Sequence, residues 1–207
     1  MTTHVAGSHH HRRRPIRRAV ILLPSGLTIA NLFFGIFAIV AAARGDPSRA
    51  GLYVVLAGIF DVFDGRVARA TNTGTPLGSE LDSLVDIVSF GVAPAAIGFA
   101  VGLRGGWDVI PLLFLVACAI GRLARYNVTS AALADESGKV RYFEGIPVTG
   151  SLLVVAVLAA SVLTGHLGDR LPLGAHQLGP FVLHPLALAY VAVGCGMVSK
   201  RLHIPKP

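Results

Sequence analysis

Six apolar stretches, each close to the length that crosses a lipid bilayer, account for most of this 207-residue chain. A membrane-spanning helix needs about 20 consecutive, mainly apolar residues. Only 14% of the residues are charged and the mean hydropathy is +0.66, whereas soluble domains carry about 25% charged residues. The stretches are Leu22–Ala43, Leu52–Ala70, Leu81–Leu103, Val109–Ser130, Val148–Thr164 and Phe181–Val198. The sequence therefore predicts an all-α, polytopic membrane protein with six transmembrane helices.

The distribution of basic residues predicts how these helices are oriented. With both termini in the cytoplasm, 14 of the 18 Lys and Arg residues fall in cytoplasmic segments. The basic residues that remain outside are Arg44, Arg49, Arg104 and Arg170. Cytoplasmic loops are enriched in Lys and Arg, so this distribution favours cytoplasmic termini. We expect a basic cytoplasmic tail at residues 1–21, a membrane domain at residues 22–199 and a cytoplasmic tail at residues 200–207, in the cell membrane.

The remaining composition argues against several other classes of protein. The net charge of +7 follows mostly from this topology, with attraction to anionic membrane lipids as a second reading. No basic stripe interleaved with aromatic residues occupies a soluble segment, which argues against nucleic-acid binding. Cys118 and Cys195 lack the spacing of a zinc site, so we expect both to pack as apolar side chains. The first stretch lacks a small-residue cleavage site and is expected to be a retained span. His9–His11 predict a disordered tail, with a metal-binding histidine cluster as the alternative.

Four aspartates stand out in this apolar sequence: Asp61, Asp64, Asp82 and Asp86. A carboxylate inside a membrane is costly, so a group of them indicates a functional site. Residues three or four apart share one face of a helix, which places each pair of aspartates on one stripe. A turn predicted at Thr71–Pro76 would make the two helices antiparallel. We therefore expect the four carboxylates to converge on one volume toward the cytoplasmic side.

Such a cluster requires positive charge or protons to offset its repulsion. Arg66 and Arg69 are the nearby bases. Ligation by oxygen atoms alone selects hard cations such as Mg²⁺ or Mn²⁺. Two such ions, bridged by shared carboxylates, would suit displacement at phosphorus. The aspartates therefore predict a site for two divalent metal ions.

Small residues beside the aspartates have two readings. Gly65 and Gly78 leave room for the close approach of a ligand or of a neighbouring helix. Arg69 shares their face and can hold a phosphate through two hydrogen bonds, or it is a cytoplasmic topology charge. Near the start of the first stretch, Ser25, Thr28 and Asn31 form a polar edge. This edge predicts either contacts to a lipid-linked ligand or packing between helices.

The string from Asp61 to Asp86 resembles the signature of the CDP-alcohol phosphatidyltransferases, D-x2-D-G-x2-A-R-x8-G-x3-D-x3-D. Every fixed position is filled, and so many fixed residues at fixed gaps make the motif specific. The pattern of six apolar stretches is also similar to that of the family. The resemblance therefore covers the chain from about Pro24 to Ser199.

The resemblance implies a reaction and roles for individual residues. The family transfers a phosphatidyl group from a CDP-linked lipid to an alcohol and releases CMP. By this resemblance, Asp61, Asp64 and Asp82 would be metal ligands. Asp86 would complete the binuclear site and act as general base on the alcohol. The contacts to the CDP part of the lipid would come from Gly65, Arg69 and Thr75, with Gly78 beside them.

Three further strings look like the phosphatidylserine synthase branch of the family. They are Asp82–Pro94 (DSLVDIVSFGVAP), Arg122–Asn127 (RLARYN) and Phe143–Pro147 (FEGIP). The lysine typical of glycerophosphate-using relatives is absent between Asp82 and Asp86. The implied substrates are CDP-diacylglycerol and L-serine. The serine carboxylate would meet Arg122, Arg125 and Arg141, and its ammonium would meet Glu144, although these arginines also fit a purely topological role.

Two alternatives stay open at this point. The same chemistry could use another acceptor, chiefly inositol phosphate or glycerol phosphate, because the same arginines would bind a phosphate. A divalent-cation transporter could use the aspartates as a transit site. Transport would require polar groups along the whole path through the bilayer, whereas the acidic residues form one cluster. The resemblance also implies a homodimer.

Overall fold

The fold is mostly helical, as the sequence predicts. A computed structural model describes residues 15–71, 75–134, 142–199 and 203–205, and for residues 15–25, 130–134, 142–144, 169 and 203–205 it describes the backbone alone. The α-helices are α1 (Pro15–Ala43), α2 (Pro47–Thr71), α3 (Pro76–Asp86), α4 (Ala93–Val101), α5 (Val109–Ala134), α6 (Leu152–Leu163) and α7 (Leu188–Val198). The strands are β1 (Tyr142–Glu144), β2 (His176–Leu178), β3 (Phe181–Leu183) and β4 (His203–Pro205).

Three of the described helices are long and apolar enough to cross a membrane: Gly26–Ala43, Pro76–Val101 and Val109–Thr129. The second of these joins α3 to α4 through a π-helical segment, Ile87–Val92. Two shorter apolar helices, Val148–Leu163 and Pro185–Val198, follow. These helices support an integral membrane protein. The six-span topology and the cytoplasmic termini stay predictions.

The short strands are a correction to the all-α prediction. β2 and β3 form an antiparallel hairpin, and β1 pairs with β4. The sixth apolar stretch therefore begins as a strand at Phe181 and becomes helical only from Pro185. Gly179, with φ of +64°, supplies the left-handed conformation that the tight turn requires. Apolar content alone does not distinguish such a strand from the first turn of a helix.

The predicted turn between the two halves of the aspartate motif is confirmed at its edges. α2 ends at Thr71 and α3 begins at Pro76. Thr75 caps α3, because its Oγ1 accepts a hydrogen bond of 3.0 Å from the backbone N–H of Gly78. Proline at the first helical position costs no hydrogen bond, since that N–H would have no partner inside the helix. This junction fixes where α3, with its two aspartates, begins.

Small residues let the long helices approach one another closely. α1 packs along α2, where Ala38, Ala50 and Ala57 are fully buried. Gly58 on α2 faces Leu152 and Phe90, and an added Cβ would lie 3.3 Å from the Leu152 side chain. Small side chains at helix contacts are the usual means of close packing in membranes. The packing holds α1, α2 and the Pro76–Val101 helix around one common interior.

The end of the bundle at the α4–α5 loop is closed by a buried contact between an aspartate and a histidine, which the sequence did not predict. Asp108 is fully buried and accepts backbone hydrogen bonds from Gly105 at 2.8 Å and from His184 at 2.7 Å. Its Oδ2 also lies 2.6 Å from Nδ1 of His184. The pair ties the α4–α5 loop to the segment that follows β3. Asp86, in the interior of the Pro76–Val101 helix, and Val101, at its end, are separated by roughly 20 Å of helix.

Candidate metal and nucleotide site

Three of the four aspartates come together in the structure. Asp61 projects from α2, and Asp82 and Asp86 project from α3. Each offers a carboxylate oxygen within 4.8 Å of those offered by the other two. Asp86 is only 8% exposed, and the other two are partly buried. The helical spacing in the sequence correctly predicted that carboxylates from both halves of the motif would converge.

The residues at this cluster fit a divalent cation. Oδ1 of Asp82 is buried and has no hydrogen-bond partner. Within the described part of the chain, no salt bridge joins an arginine or lysine to any of the three carboxylates; Arg49 pairs with Asp46, and the His184 imidazole contacts Asp108. Three close carboxylates repel one another unless a counter-charge is present. A hard cation ligated by oxygen satisfies both the charge and the unpaired atom.

Asp64 lies outside this group of three. Its Oδ2 accepts a hydrogen bond from Thr28 Oγ1 on α1, and its side chain is buried. The carboxylate is thus engaged by a neighbouring helix. The structure therefore brings together three of the four predicted ligands, and a ligand role for Asp64 stays a prediction.

Asn31 makes a second contact from α1 to the aspartates. Its Nδ2 donates a hydrogen bond of 3.3 Å to Oδ1 of Asp86, and the residue is fully buried. Ser89 Oγ donates a hydrogen bond of 3.3 Å to the backbone carbonyl of Asn31. The other side-chain atom of the amide, Oδ1, has no partner. Two residues of the predicted polar edge, Thr28 and Asn31, therefore contact aspartates, whereas of Ser25 only the backbone is described.

The residues predicted to bind CDP lie at the open end of the site. Arg69 is exposed. A Cβ added to Gly65 would lie 3.7 Å from Nη1 of Arg69. The absence of a side chain at Gly65 therefore leaves space beside the guanidinium. Thr75 and Gly78 are exposed, and each is also engaged in the cap of α3. Arg66 on α2 is exposed as well.

The structure gives different partners to Arg122 and Arg125, the two described arginines that are predicted to bind the acceptor. Arg122 is 9% exposed, interacts electrostatically with Asp86, and its Nε has no hydrogen-bond partner. Arg125 instead donates a hydrogen bond from Nη1 to the Val198 carbonyl at 3.2 Å, joining α5 to α7. Arg141 and the His9–His11 tail lie outside the described residues, and of Glu144 in β1 only the backbone is described. Arg122 is thus the described member of the set that interacts electrostatically with the aspartate cluster.

A polar contact between α3 and α5 was missed by the sequence reasoning. Asn127 Nδ2 donates hydrogen bonds to Glu80 Oε2 at 3.0 Å and to Ser83 Oγ at 3.1 Å. Asn127 is 44 residues from Ser83, so no local spacing relates them. The sequence signal for this contact is the string Arg122–Asn127, which ends at Asn127. This contact holds α5, and with it Arg122, against α3.

Comparisons with known proteins agree on one family. The family model described as CDP-alcohol phosphatidyltransferase matches residues 21–197. A CDP-diacylglycerol–serine O-phosphatidyltransferase of Saccharomyces cerevisiae is 45% identical over 87% of this chain and 69% of the yeast protein. Proteins of the same name are 36% identical in Mycobacterium bovis, over 72% of this chain and 54% of the relative, and 37% identical in Helicobacter pylori, over 66% and 56%. The chain thus spans about half the length of these bacterial relatives.

Proposed function

The chain belongs to the CDP-alcohol phosphatidyltransferase family, and on that premise we propose that it transfers the phosphatidyl group from CDP-diacylglycerol to L-serine. The observation that carries the proposal is the cluster of Asp61, Asp82 and Asp86 in a chain 45% identical to a protein named for this reaction. The products are phosphatidylserine and CMP. Relatives of the same name in several bacteria support serine over other acceptors.

Mg²⁺ or Mn²⁺ fits the donor set of the site. The carboxylates of Asp61, Asp82 and Asp86 would hold the metal, with Asp64 as a further ligand and two ions in the complete site. When bound, the metal supplies Lewis acidity and charge neutralisation for a pyrophosphate. Its all-oxygen ligands select against softer cations such as Cu⁺.

Asp86 is proposed to act as general base. The serine hydroxyl oxygen forms a bond to the phosphorus that carries diacylglycerol, and the bond from that phosphorus to the bridging oxygen breaks. CMP leaves with the electron pair of the broken bond. Asp86 accepts the hydroxyl proton, a task that suits a buried carboxylate within reach of the reacting oxygen. The hydrogen bond from Asn31 engages Oδ1, so Oδ2 is the oxygen assigned to proton transfer.

Binding of the two substrates is proposed to involve the arginines on either side of the cluster. Arg69 would hold a phosphate of CDP, with Gly65 and Gly78 allowing close approach and Thr75 beside them. Arg122 would pair with the serine carboxylate, because its Nε has no partner and it lies near Asp86. Arg125, Arg141 and Glu144 complete the proposed acceptor site.

The proposed setting is the cell membrane. Six spans over residues 22–199 would place both tails and the aspartate cluster in the cytoplasm, where CDP-linked and amino-acid substrates are found. The charge distribution along the sequence supports this orientation. A homodimer is proposed as the functional unit.

An assay with a panel of acceptor alcohols tests the reaction. Purified protein is incubated with CDP-diacylglycerol and Mn²⁺ or Mg²⁺, and CMP release is measured with L-serine, inositol phosphate or glycerol phosphate. The proposal predicts release with serine and formation of phosphatidylserine. Release with inositol phosphate alone would overturn serine as the acceptor, and no release with any alcohol would overturn the enzymatic function.

A further inference from the structure

The polar edge of α1 contacts the aspartates on both sides of the site. Thr28 donates to Asp64, which lies on α2, and Asn31 donates to Asp86, which lies on α3. Thr28 and Asn31 are three residues apart, so their side chains share one face of α1. The same face therefore contacts both halves of the aspartate motif, although α1 contributes no carboxylate to it.

The position of α1 along this surface is fixed by a close contact one turn further on. Gly35 packs directly against Ser89 in the π-helical segment, and an added Cβ would collide with the Ser89 hydroxyl. Ser89 in turn donates its hydrogen bond to the Asn31 carbonyl. Ser89 and Asn31 are both fully buried. A shift of α1 by one residue would break this contact and would also move Asn31 away from Asp86.

We infer that Thr28 and Asn31 are positioning residues, which orient the carboxylates of Asp64 and Asp86 for the metal and for proton transfer. An amide can donate to a carboxylate only through its nitrogen, so Asn31 engages Oδ1 of Asp86 and leaves Oδ2 without that hydrogen bond. Outer hydrogen-bond partners of metal ligands commonly fix the orientation of those ligands. This assignment differs from direct contact with the CDP-lipid.

Burial favours positioning over direct contact with the lipid. Asn31 is fully buried, and its Nδ2 is already engaged by Asp86. The contact of Thr28 with the buried Asp64 is partly buried. A headgroup would have to displace the hydrogen bond to Asp86 to reach Nδ2 of Asn31. Arg69 and Gly65 already offer an accessible surface for it.

Isosteric substitutions test the inference through metal affinity and through kinetics. Asn31→Leu and Thr28→Val remove the hydrogen bonds at nearly constant volume. The expected result for Asn31→Leu is a loss of about 10- to 100-fold in Mn²⁺ affinity or in kcat, with the KM for CDP-diacylglycerol within about twofold of the wild type. Thr28→Val is expected to weaken Mn²⁺ binding, and Thr28→Ser, which keeps the hydroxyl, to bind the ion more tightly than Thr28→Val. Mn²⁺ affinity is measured by electron paramagnetic resonance of the free ion.

Controls separate positioning from general loss of structure. Ser161→Ala removes a buried hydroxyl on α6 that bonds only within its own helix, and it should match the wild type in every measurement. Size-exclusion elution and thermal unfolding report on folding. If Asn31→Leu does not fold, the comparison of Thr28→Val with Thr28→Ser decides the result.

The inference fails if folded Asn31→Leu keeps both its Mn²⁺ affinity and its kcat. It also fails if the variant raises only the KM for CDP-diacylglycerol, since that result indicates a substrate contact. The kinetic part rests on the proposed function, whereas the Mn²⁺ titration does not. A wild-type protein that releases no CMP with any acceptor would refute the proposed function, and the titration alone would then decide the role of α1.

Discussion

The two ends of the helical bundle bury aspartate carboxylates in opposite ways. At one end, Asp108 accepts hydrogen bonds from two backbone N–H groups and lies against the imidazole of His184. At the other end, Asp61, Asp82 and Asp86 lie within 4.8 Å of one another, and one buried oxygen of Asp82 has no partner. The protein supplies partners for both oxygens of Asp108, whereas it leaves a buried oxygen of the aspartate cluster without a hydrogen-bond partner.

This difference separates a structural role from a chemical one. A buried carboxylate that has partners at both oxygens stabilises the loops that supply those partners, and it has little remaining capacity for a ligand. A group of carboxylates that repel one another, with one oxygen unpaired, requires a cation or protons to offset the repulsion. The contrast between the two ends supports loop anchoring by the Asp108–His184 pair and the proposed ligand chemistry at the aspartate cluster.

The largest effect is expected for Asp86→Asn. The amide keeps the shape of the side chain but cannot accept the hydroxyl proton, so serine-dependent CMP release should fall about 100- to 10,000-fold. Elution volume and thermal unfolding should stay close to those of the wild type. Near-normal turnover in the folded variant would remove Asp86 as the base.

A smaller effect is expected for Asp82→Asn, and it concerns the affinity for Mn²⁺. Removing a carboxylate ligand should cost at least about 100-fold in Mn²⁺ affinity, the upper end of what loss of an outer partner costs. Isothermal titration calorimetry of the metal-free protein measures this affinity. The matched variant is Asp46→Asn, an aspartate in the turn between α1 and α2 that pairs with Arg49, and it should leave Mn²⁺ binding unchanged. Equal losses in the two variants would contradict a specific site at the cluster.

At the opposite end, His184→Ala should lower stability and leave the chemistry intact. The substitution removes one hydrogen-bond partner of the buried Asp108, which costs about 1.5 to 3 kcal/mol. Thermal unfolding in detergent measures the change, and CMP release per folded molecule should stay within about twofold. His176→Ala, at an exposed position in the β2–β3 hairpin that precedes His184, is the control and should unfold like the wild type. Loss of turnover without loss of stability would place this end of the molecule in the active site.

The smallest effect is expected at the cap of α3. Thr75→Ala removes the acceptor for the Gly78 N–H and should cost about 1 kcal/mol of stability. Thr75→Ser keeps an oxygen in the same place and should unfold like the wild type. Urea or thermal unfolding of the pair distinguishes them. Equal stability of the two variants would show that the cap does not hold the start of α3.

The sequence predicted the convergence of the aspartates because helical periodicity is a local property. Only two helices and one turn are needed to bring Asp61 together with Asp82 and Asp86. The spacing of the aspartates predicts the helix faces, and the Thr-Pro start of α3 predicts the turn. The orientation of Asp64 was not readable in this way. It depends on Thr28, which lies 36 residues earlier in the chain.

Long-range contacts account for most of what the sequence did not predict. Asp108 and His184 are 76 residues apart, and neither lies in a motif. The roles of Asn31 and Asn127 likewise depend on which helix faces pack together. The strand at Phe181 was missed because a short apolar run has no period that separates strand from helix. The hydrogen bond from Arg125 to the Val198 carbonyl also depends on the packing of α5 on α7, and the acceptor role of Arg125 stays a prediction.

Anomalous X-ray diffraction from crystals soaked in Mn²⁺ tests the central contrast most directly. Scattering recorded near the manganese absorption edge locates the ion without assumptions about activity. The account predicts an anomalous peak bounded by the carboxylates of Asp61, Asp82 and Asp86, and none at Asp108 and His184. A peak at the Asp108–His184 pair, or no peak at the three aspartates at saturating Mn²⁺, would contradict it.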